Sequence, residues 1–458
     1  MKNSFKYSGV FLPIEVMSRE LHGKILLAAS LAKQTPVFLG HKSEIYKLAS
    51  KSSSPGILLN KSVGLKNNTK LYQSLRQRGF QLMAQDEEAG TVFSNFGDFF
   101  ARRSSLRDVP SLDHWFCWGD DEASFLASSM VGMPMERMTV SGSPRSALWG
   151  EIGRRFWSEE IENLRNSLKP FVLFASNNVW TNSPLSEKQL LKNRIKMADW
   201  DSVGKHIYQE KVEFERLAVK AFLECIESTL EATPLDVVIR PHPAENTALW
   251  KDRYRSNPRV TVSNRGPVSP WILSSERVVH YGSTVGLEAA LSGVPTAALM
   301  PPGYAQDDIV KGVPFWVSEV IHNRVEFLGF LNNSKICQNS RLEERVHRKI
   351  ANVGNLTPLK LICDRLSRSF EGRELDDASS FLKSRLQISP LKIKEWARST
   401  RLRPLTKSVR MDRYKRPHLD SSTVELLLAR SEKILDLAER LHVKRVDSNS
   451  YLIWKSPG

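Results

Sequence analysis

The sequence predicts an α/β protein of two doubly wound, parallel-sheet domains with a cleft between them. Three observations carry this. Short apolar runs alternate with helical stretches, the signature of βαβ units. The alternation lapses over residues 150–169, a charged helical connector, and then restarts. The chain has 458 residues, whereas a domain typically holds roughly 100–200.

In the first domain, residues 1–150, the expected strands are 8–14, 36–40, 56–60, 80–85, 114–118 and 138–140. Leucines and alanines over 19–33 give an amphipathic helix between the first two. In the second domain, residues 166–385, the strands are 171–175, 236–239, 260–263, 277–280 and 295–300, with a long helix around 205–231. Residues 178–204 form a longer loop of the kind that often covers a site. Residues 386–458 read as a basic helical tail, with a helix over 423–441.

Sixty-six Lys and Arg against 50 Asp and Glu give a formal charge of +16, which favours anionic partners. Within 391–416 ten basic residues face two acids, Glu395 and Asp412, with Trp396 and Tyr414 among them. This suits docking on an anionic membrane surface. Nucleic acid is not the expected partner, because aromatics are not interleaved with basic residues on an open face. Cys117, Cys225, Cys337 and Cys363 are scattered singly, which excludes a disulfide framework and a zinc site and suits a cytoplasmic location. No apolar run is long enough to span a bilayer, and the first residues do not read as a signal peptide.

Two segments carry most of the chemistry. One is Arg240-Pro241-His242-Pro243, an apolar strand ending in a proline-framed imidazole beside a guanidinium, suited to holding a phosphate. The other is Gly282-Ser283-Thr284-Val285-Gly286-Leu287-Glu288, a strand end that opens a helix. Its free N–H groups and hydroxyls suit an anion, and Glu288 suits ribose hydroxyls. Asp86-Glu87-Glu88-Ala89-Gly90 ends another strand, and adjacent carboxylates raise the pKa of at least one, as a general base requires. Arg19, Lys42, Lys61 and Arg145 all follow first-domain strands. They would make one sheet edge cationic, fit for a carboxylate or phosphate of donor or acceptor. Asp199-Trp200-Asp201 matches a metal-holding D-x-D pattern but follows no expected strand, so it is discounted and no metal is expected.

The acidic loop, the His-Pro motif and the Ser/Thr-bearing helix start together resemble the pattern of bacterial sialyl- and polysialyltransferases. Leu12-Pro13-Ile14-Glu15-Val16-Met17-Ser18-Arg19-Glu20, Gly40-His41-Lys42-Ser43-Glu44-Ile45 and residues 85–90 are similar to the bacterial surface carbohydrate biosynthesis protein family. That family is related to transferases of Kdo and other ulosonic acids. The likeness covers roughly residues 8–310. It implies a GT-B architecture and a CMP-activated nonulosonic acid donor of Kdo, sialic, legionaminic or pseudaminic type. The acceptor would be a capsule, O-antigen or lipopolysaccharide glycan, lipid-linked at the inner membrane face, with no cofactor. Glu88, then Glu87 and Asp86, would supply the carboxylate, while His242, Ser283 and Thr284 would stabilise the departing CMP. The chain departs from the family where Ala89 separates the acids from Gly90. A glycerophosphotransferase using CDP-glycerol is the alternative on the same scaffold. Further rivals are a basic nucleic-acid-binding protein and a non-catalytic sugar-nucleotide sensor.

Overall fold

In the computed structural model the described residues are 6–61, 69–89, 96–186, 189, 202–301, 303, 312–333, 340–372, 374–375 and 418–455. The segment 391–416, Gly90, Asp199-Trp200-Asp201 and Cys337 lie outside them.

Six parallel strands build the first sheet: β1 (Val10–Ile14), β2 (Val37–His41), β3 (Ile57–Asn60), β4 (Gln81–Ala84), β5 (His114–Cys117) and β6 (Met138–Val140). Side chains alternate across a strand. Val10, Leu12 and Ile14 therefore enter one core, and Phe11 enters the other, stacked on Phe38 at 4.5 Å. The second sheet holds β7 (Phe171–Ala175), β8 (Asp236–Arg240), β9 (Val260–Val262), β10 (Arg277–His280), β11 (Thr296–Leu299) and β12 (Glu319–Ile321), all parallel. Two Rossmann-like domains thus face each other, the GT-B architecture.

Strand order fixes where ligands go. In the first sheet β1 lies between β2 and β3, and in the second β7 lies between β8 and β10. At each reversal the flanking loops diverge and leave a crevice at the carboxyl edge. The described residues of the acid loop, Arg19, Lys42, Lys61, Arg145 and the two phosphate motifs all end or follow strands at these carboxyl edges.

The ends of both expected domains need correction. The helix Thr357–Arg368 packs on the first domain, its Leu359, Ile362 and Leu366 joining the core beneath the helix Met17–Leu31. It belongs with the first domain, although it falls in the 166–385 range. Nor is the tail helical throughout. The helix Ser421–Ile434 stops short of residue 441, because Asp436 takes a left-handed φ of 50° that a helix cannot continue. Strands β13 (His442–Asp447) and β14 (Ser450–Trp454) follow, and β14 pairs antiparallel with β2. Among the described residues the first sheet is therefore mixed and eight-stranded. Gly40 allows this pairing, since a Cβ there would stand 2.3 Å from the Asn449 carbonyl oxygen.

The connector Glu151–Phe156 and Ser158–Ser167 runs between both domains, as expected. Arg154 donates to the carbonyls of Leu273 and Ser292 in the second domain. Leu287 and Val313 enter the apolar cluster that holds Trp118 and Trp149, so the domains share a core as well as a cleft. No described helix is long and apolar enough to cross a membrane.

Candidate functional site

At the first crevice the three acids diverge. Asp86 is buried and turns back on its own loop, Oδ1 accepting the Glu88 N–H at 2.7 Å, while its carbonyl accepts from Trp118 Nε1. Glu87 is buried against Lys24, with Nζ 2.9 Å from Oε1. Glu88, partly exposed, pairs with Arg19. Lys24 also stands 3.6 Å from Glu20 and donates to the Pro13 carbonyl at 2.5 Å.

The electrostatics follow from one cation held between two carboxylates. Burial works against the Lys24 ammonium, but Glu87 and Glu20 outweigh it and hold its pKa above the usual lysine value. Burial also works against Glu20, and Lys24, Lys61 and Arg19 overcome it, so Glu20 stays ionised. Glu87 keeps a raised pKa, from burial first, with Lys24 opposing and Glu20 adding repulsion. The expected raised carboxylate is present, but burial rather than crowding within the triplet is its main cause.

The cationic edge expected from Arg19, Lys42 and Lys61 is neutralised. Lys61 lies 3.0 Å from Glu15 and 3.8 Å from Glu20, and Lys42 lies 3.7 Å from Glu15. Burial opposes ionisation of Glu15, but Lys61 and Lys42 pull its pKa down to about 2. Arg19, Lys24, Lys42 and Lys61 are thus matched by Glu15, Glu20, Glu87 and Glu88. The pocket beside them is small, lined by Lys24, Asn60, Gln85, Glu87 and Arg145 among others.

Arg145 leaves this edge to meet the other domain. It follows Ser143, whose Oγ caps the short helix Pro144–Ala147, and its guanidinium lies over Trp149. Nη2 stands 3.5 Å from Glu288 Oε2. Glu288 is buried and also accepts from Ser269 Oγ, partners that the sequence expectation of ribose binding did not include.

At the second crevice the loops after β7, β8 and β10 converge. Asn177 Nδ2 donates to the Gly282 carbonyl at 3.4 Å, tying the two strands that flank the reversal. Gly282 turns with φ 76°, and Ser283 caps the helix Thr284–Leu291 by accepting the Val285 N–H at 3.2 Å. Beneath it lies His280, whose pKa burial lowers to about 3; Nδ1 accepts from Gly282 and Ser283 N–H, and Nε2–H donates to Ser318. That ring explains Gly286, where a Cβ would stand 2.1 Å from it.

His242 and Pro243 project at the end of β8, His242 half-buried and Pro243 exposed. Arg240 does other work than the sequence implied: its guanidinium donates to the carbonyls of Arg265 and Gly266 at 2.8 and 3.0 Å and lies over Trp271. It braces the β9 loop beside the crevice.

Sequence reasoning missed Glu15, Glu20, Lys24, Asn177 and Glu245. The available signal was the Glu20–Lys24 pair at the start of a helix that is apolar from Ile25 to Ala29, a spacing usually read as a surface ion pair. Among the described residues no group of three or more His, Cys, Asp and Glu is arranged to hold a metal.

No family model matches the chain, and no curated protein matches it. Solved structures do. The wall teichoic acid polymerase TagF is 12% identical over 77% of this chain and 93% of its own, with TM-score 0.42. The Staphylococcus aureus MnaA–UDP structure is 14% identical over 82% of this chain and 100% of its own, with TM-score 0.43. A Listeria monocytogenes protein described as a putative UDP-N-acetylglucosamine 2-epimerase is 14% identical over 82% and 99%, with TM-score 0.47. These are likenesses of chain architecture, and the chemistry of the site rests on its own residues.

Proposed function

We propose that the chain is a transferase that moves a nonulosonic acid from a CMP-activated donor to a hydroxyl of a bacterial surface glycan. One observation carries this reading. The Arg145–Glu288 contact joins the short helix after β6 in the first sheet to the helix that follows β10 in the second. The carboxyl edges of the two sheets, which carry the acid loop and the Ser283 helix start, thus meet across the cleft. A base and an anion seat on facing edges are what group transfer from a nucleotide requires.

The chemistry divides between the two edges. Glu88, the more exposed carboxylate of its loop, takes the proton of the acceptor hydroxyl as the new C–O bond forms. The bond from the donor carbon to the phosphate oxygen breaks, and its electron pair leaves with CMP. Ser283, Thr284 and the helix N–H groups receive that phosphate charge, with His242 at its side and Glu288 toward the ribose. Transfer to lipid-linked acceptors would place the enzyme at the cytoplasmic membrane face.

A second reading, glycerophosphoryl transfer from CDP-glycerol, is favoured by the ion pairing at the first crevice. Among the described residues Arg19, Lys24, Lys42 and Lys61 are already matched by carboxylates, which disfavours a donor carboxylate there.

Thermal-shift measurements with CMP, CDP, UMP and GMP test the nucleotide, since binding stabilises as the logarithm of ligand over Kd. Cytidine nucleotides should give the largest shift, and a UMP or GMP preference overturns both readings. Product analysis with CMP-Kdo and CDP-glycerol supplied separately then decides between them.

A further inference from the structure

Glu245 lies outside the motifs that define the site, yet it fastens two of its loops. It is buried, 6% exposed. Oε1 accepts the His242 N–H at 3.0 Å and the Asn178 N–H at 2.9 Å. Ser176 Oγ lies within 2.9 Å of both carboxylate oxygens, and Trp250 Nε1 donates to Oε2 at 3.0 Å. A buried carboxylate is tolerated where donors satisfy it in this way. One anion therefore anchors the backbone at the carboxyl ends of both β7 and β8.

The imidazole is fixed from its other side. Nδ1 of His242 accepts the Ala244 N–H at 3.1 Å. A ring nitrogen that accepts carries no proton, so the neutral ring bears its hydrogen on Nε2. The Ala244 contact depends on the backbone turn from His242 to Glu245, which is closed by the Glu245 N–H on the His242 carbonyl at 2.8 Å.

We infer that Glu245 is a positioning residue that holds this turn, keeps His242 in the Nε2–H tautomer, and so makes it a hydrogen-bond donor to the donor phosphate. The phosphate part rests on the nucleotide reading given above. It follows that His242 is not the proton acceptor of the reaction, and that role falls to the acid loop.

The test uses the full chain labelled with 15N-histidine, with the His242 resonances assigned by their loss in His242→Gln. Long-range 1H–15N spectra near neutral pH should show the Nε2–H tautomer. In Glu245→Ala the tautomers should mix, and CMP affinity by calorimetry should fall on the order of tenfold. If that variant does not fold, Glu245→Gln with Trp250→Phe replaces it. The amide oxygen still accepts from His242 and Asn178, and the Phe removes the Trp250 N–H, the nearer of the two that the amide nitrogen would meet, the other being Asn182 Nδ2 at 3.5 Å. This pair should restore the tautomer and bring CMP affinity to within about threefold of wild type. Trp250→Phe alone, which leaves the Oε1 contacts in place, should change both less than Glu245→Ala does.

An Nδ1–H tautomer in the wild type overturns the inference. So does a folded Glu245→Ala with tautomer and CMP affinity intact. If the tautomer shifts as expected but the wild type binds neither CMP nor CDP, the nucleotide reading fails while the positioning relation stands.

Discussion

Arg145 and Glu288 form an ion pair across the cleft, Nη2 to Oε2 at 3.5 Å, and Glu288 is buried where they meet. Removing the guanidinium leaves a buried carboxylate short of a partner, which costs about 1–3 kcal/mol. Arg145→Ala should therefore lower the urea midpoint clearly, and adding Glu288→Gln should recover part of the loss. A double-mutant cycle with coupling below about 0.3 kcal/mol would show that the pair does not bind the domains together.

The acid loop gives the catalytic prediction. General bases typically contribute about 10²–10⁴-fold, so Glu88→Gln should slow transfer by that order while CMP affinity holds. Glu87→Gln is the control. Its side chain meets Lys24 in a buried network, so its first effect should be on stability. If the rate falls with Glu87→Gln and not with Glu88→Gln at matched stability, the base is Glu87.

Glu215 predicts a pH dependence. It accepts the Trp180 and Thr181 N–H groups, yet burial pushes its pKa up to about 7. A carboxyl whose folded pKa exceeds its unfolded value of 4.5 keeps extra protons on the native state. Stability should then fall as pH rises from 4.5 toward 7 and level off beyond, by at most about 3 kcal/mol from this group. Buried Glu122, pushed to about 8, adds a loss of the same sign that continues further. Urea midpoints across this range should decline less steeply in Glu215→Gln; an unchanged slope would remove Glu215 as a source.

Gly286 should tolerate no side chain. A Cβ there collides with the His280 ring, and overpacking of this kind costs about 1–3 kcal/mol or more. Gly286→Ala should lower stability and weaken CMP binding together, because the Ser283 cap rests on the same ring. Combining it with His280→Ala should cost less than the two changes added together, since the collision goes with the ring.

The basic run over 391–416 is expected to dock on anionic lipid. Its removal must spare residues 418–455, which complete the first domain. Replacing its ten Lys and Arg by Gln should abolish salt-sensitive pelleting with anionic liposomes. Unchanged pelleting would place the attachment elsewhere.

The regular elements of both domains were legible because parallel strands covered on both faces read as short apolar runs. β13 was not, since its exposed Lys444 and Arg445 mask the alternation, and β12 was not, since its exposed Glu319 leaves only Val320 and Ile321 as an apolar run. The placement of Thr357–Arg368 against the first domain is a tertiary choice that no local pattern encodes. The placement of His242, Ser283 and the acid loop at strand ends was legible from the apolar runs that precede them. Lys24, Glu20 and Glu245 were not, because their roles depend on burial and on partners distant in sequence.

The pairing of β14 with β2 has a consequence for how the protein is made. A ribosome releases β1 to β6 long before residues 442–454 emerge. Until then β2 is a bare parallel edge, with its backbone groups unpaired and the helix Met17–Leu31 uncovered by Ser421–Ile434. Such an edge recruits other chains while it stays open. The strands of the second sheet are complete by residue 321. The domain synthesised first is thus the last to be finished, and during that interval the nascent chain is most exposed to misassembly.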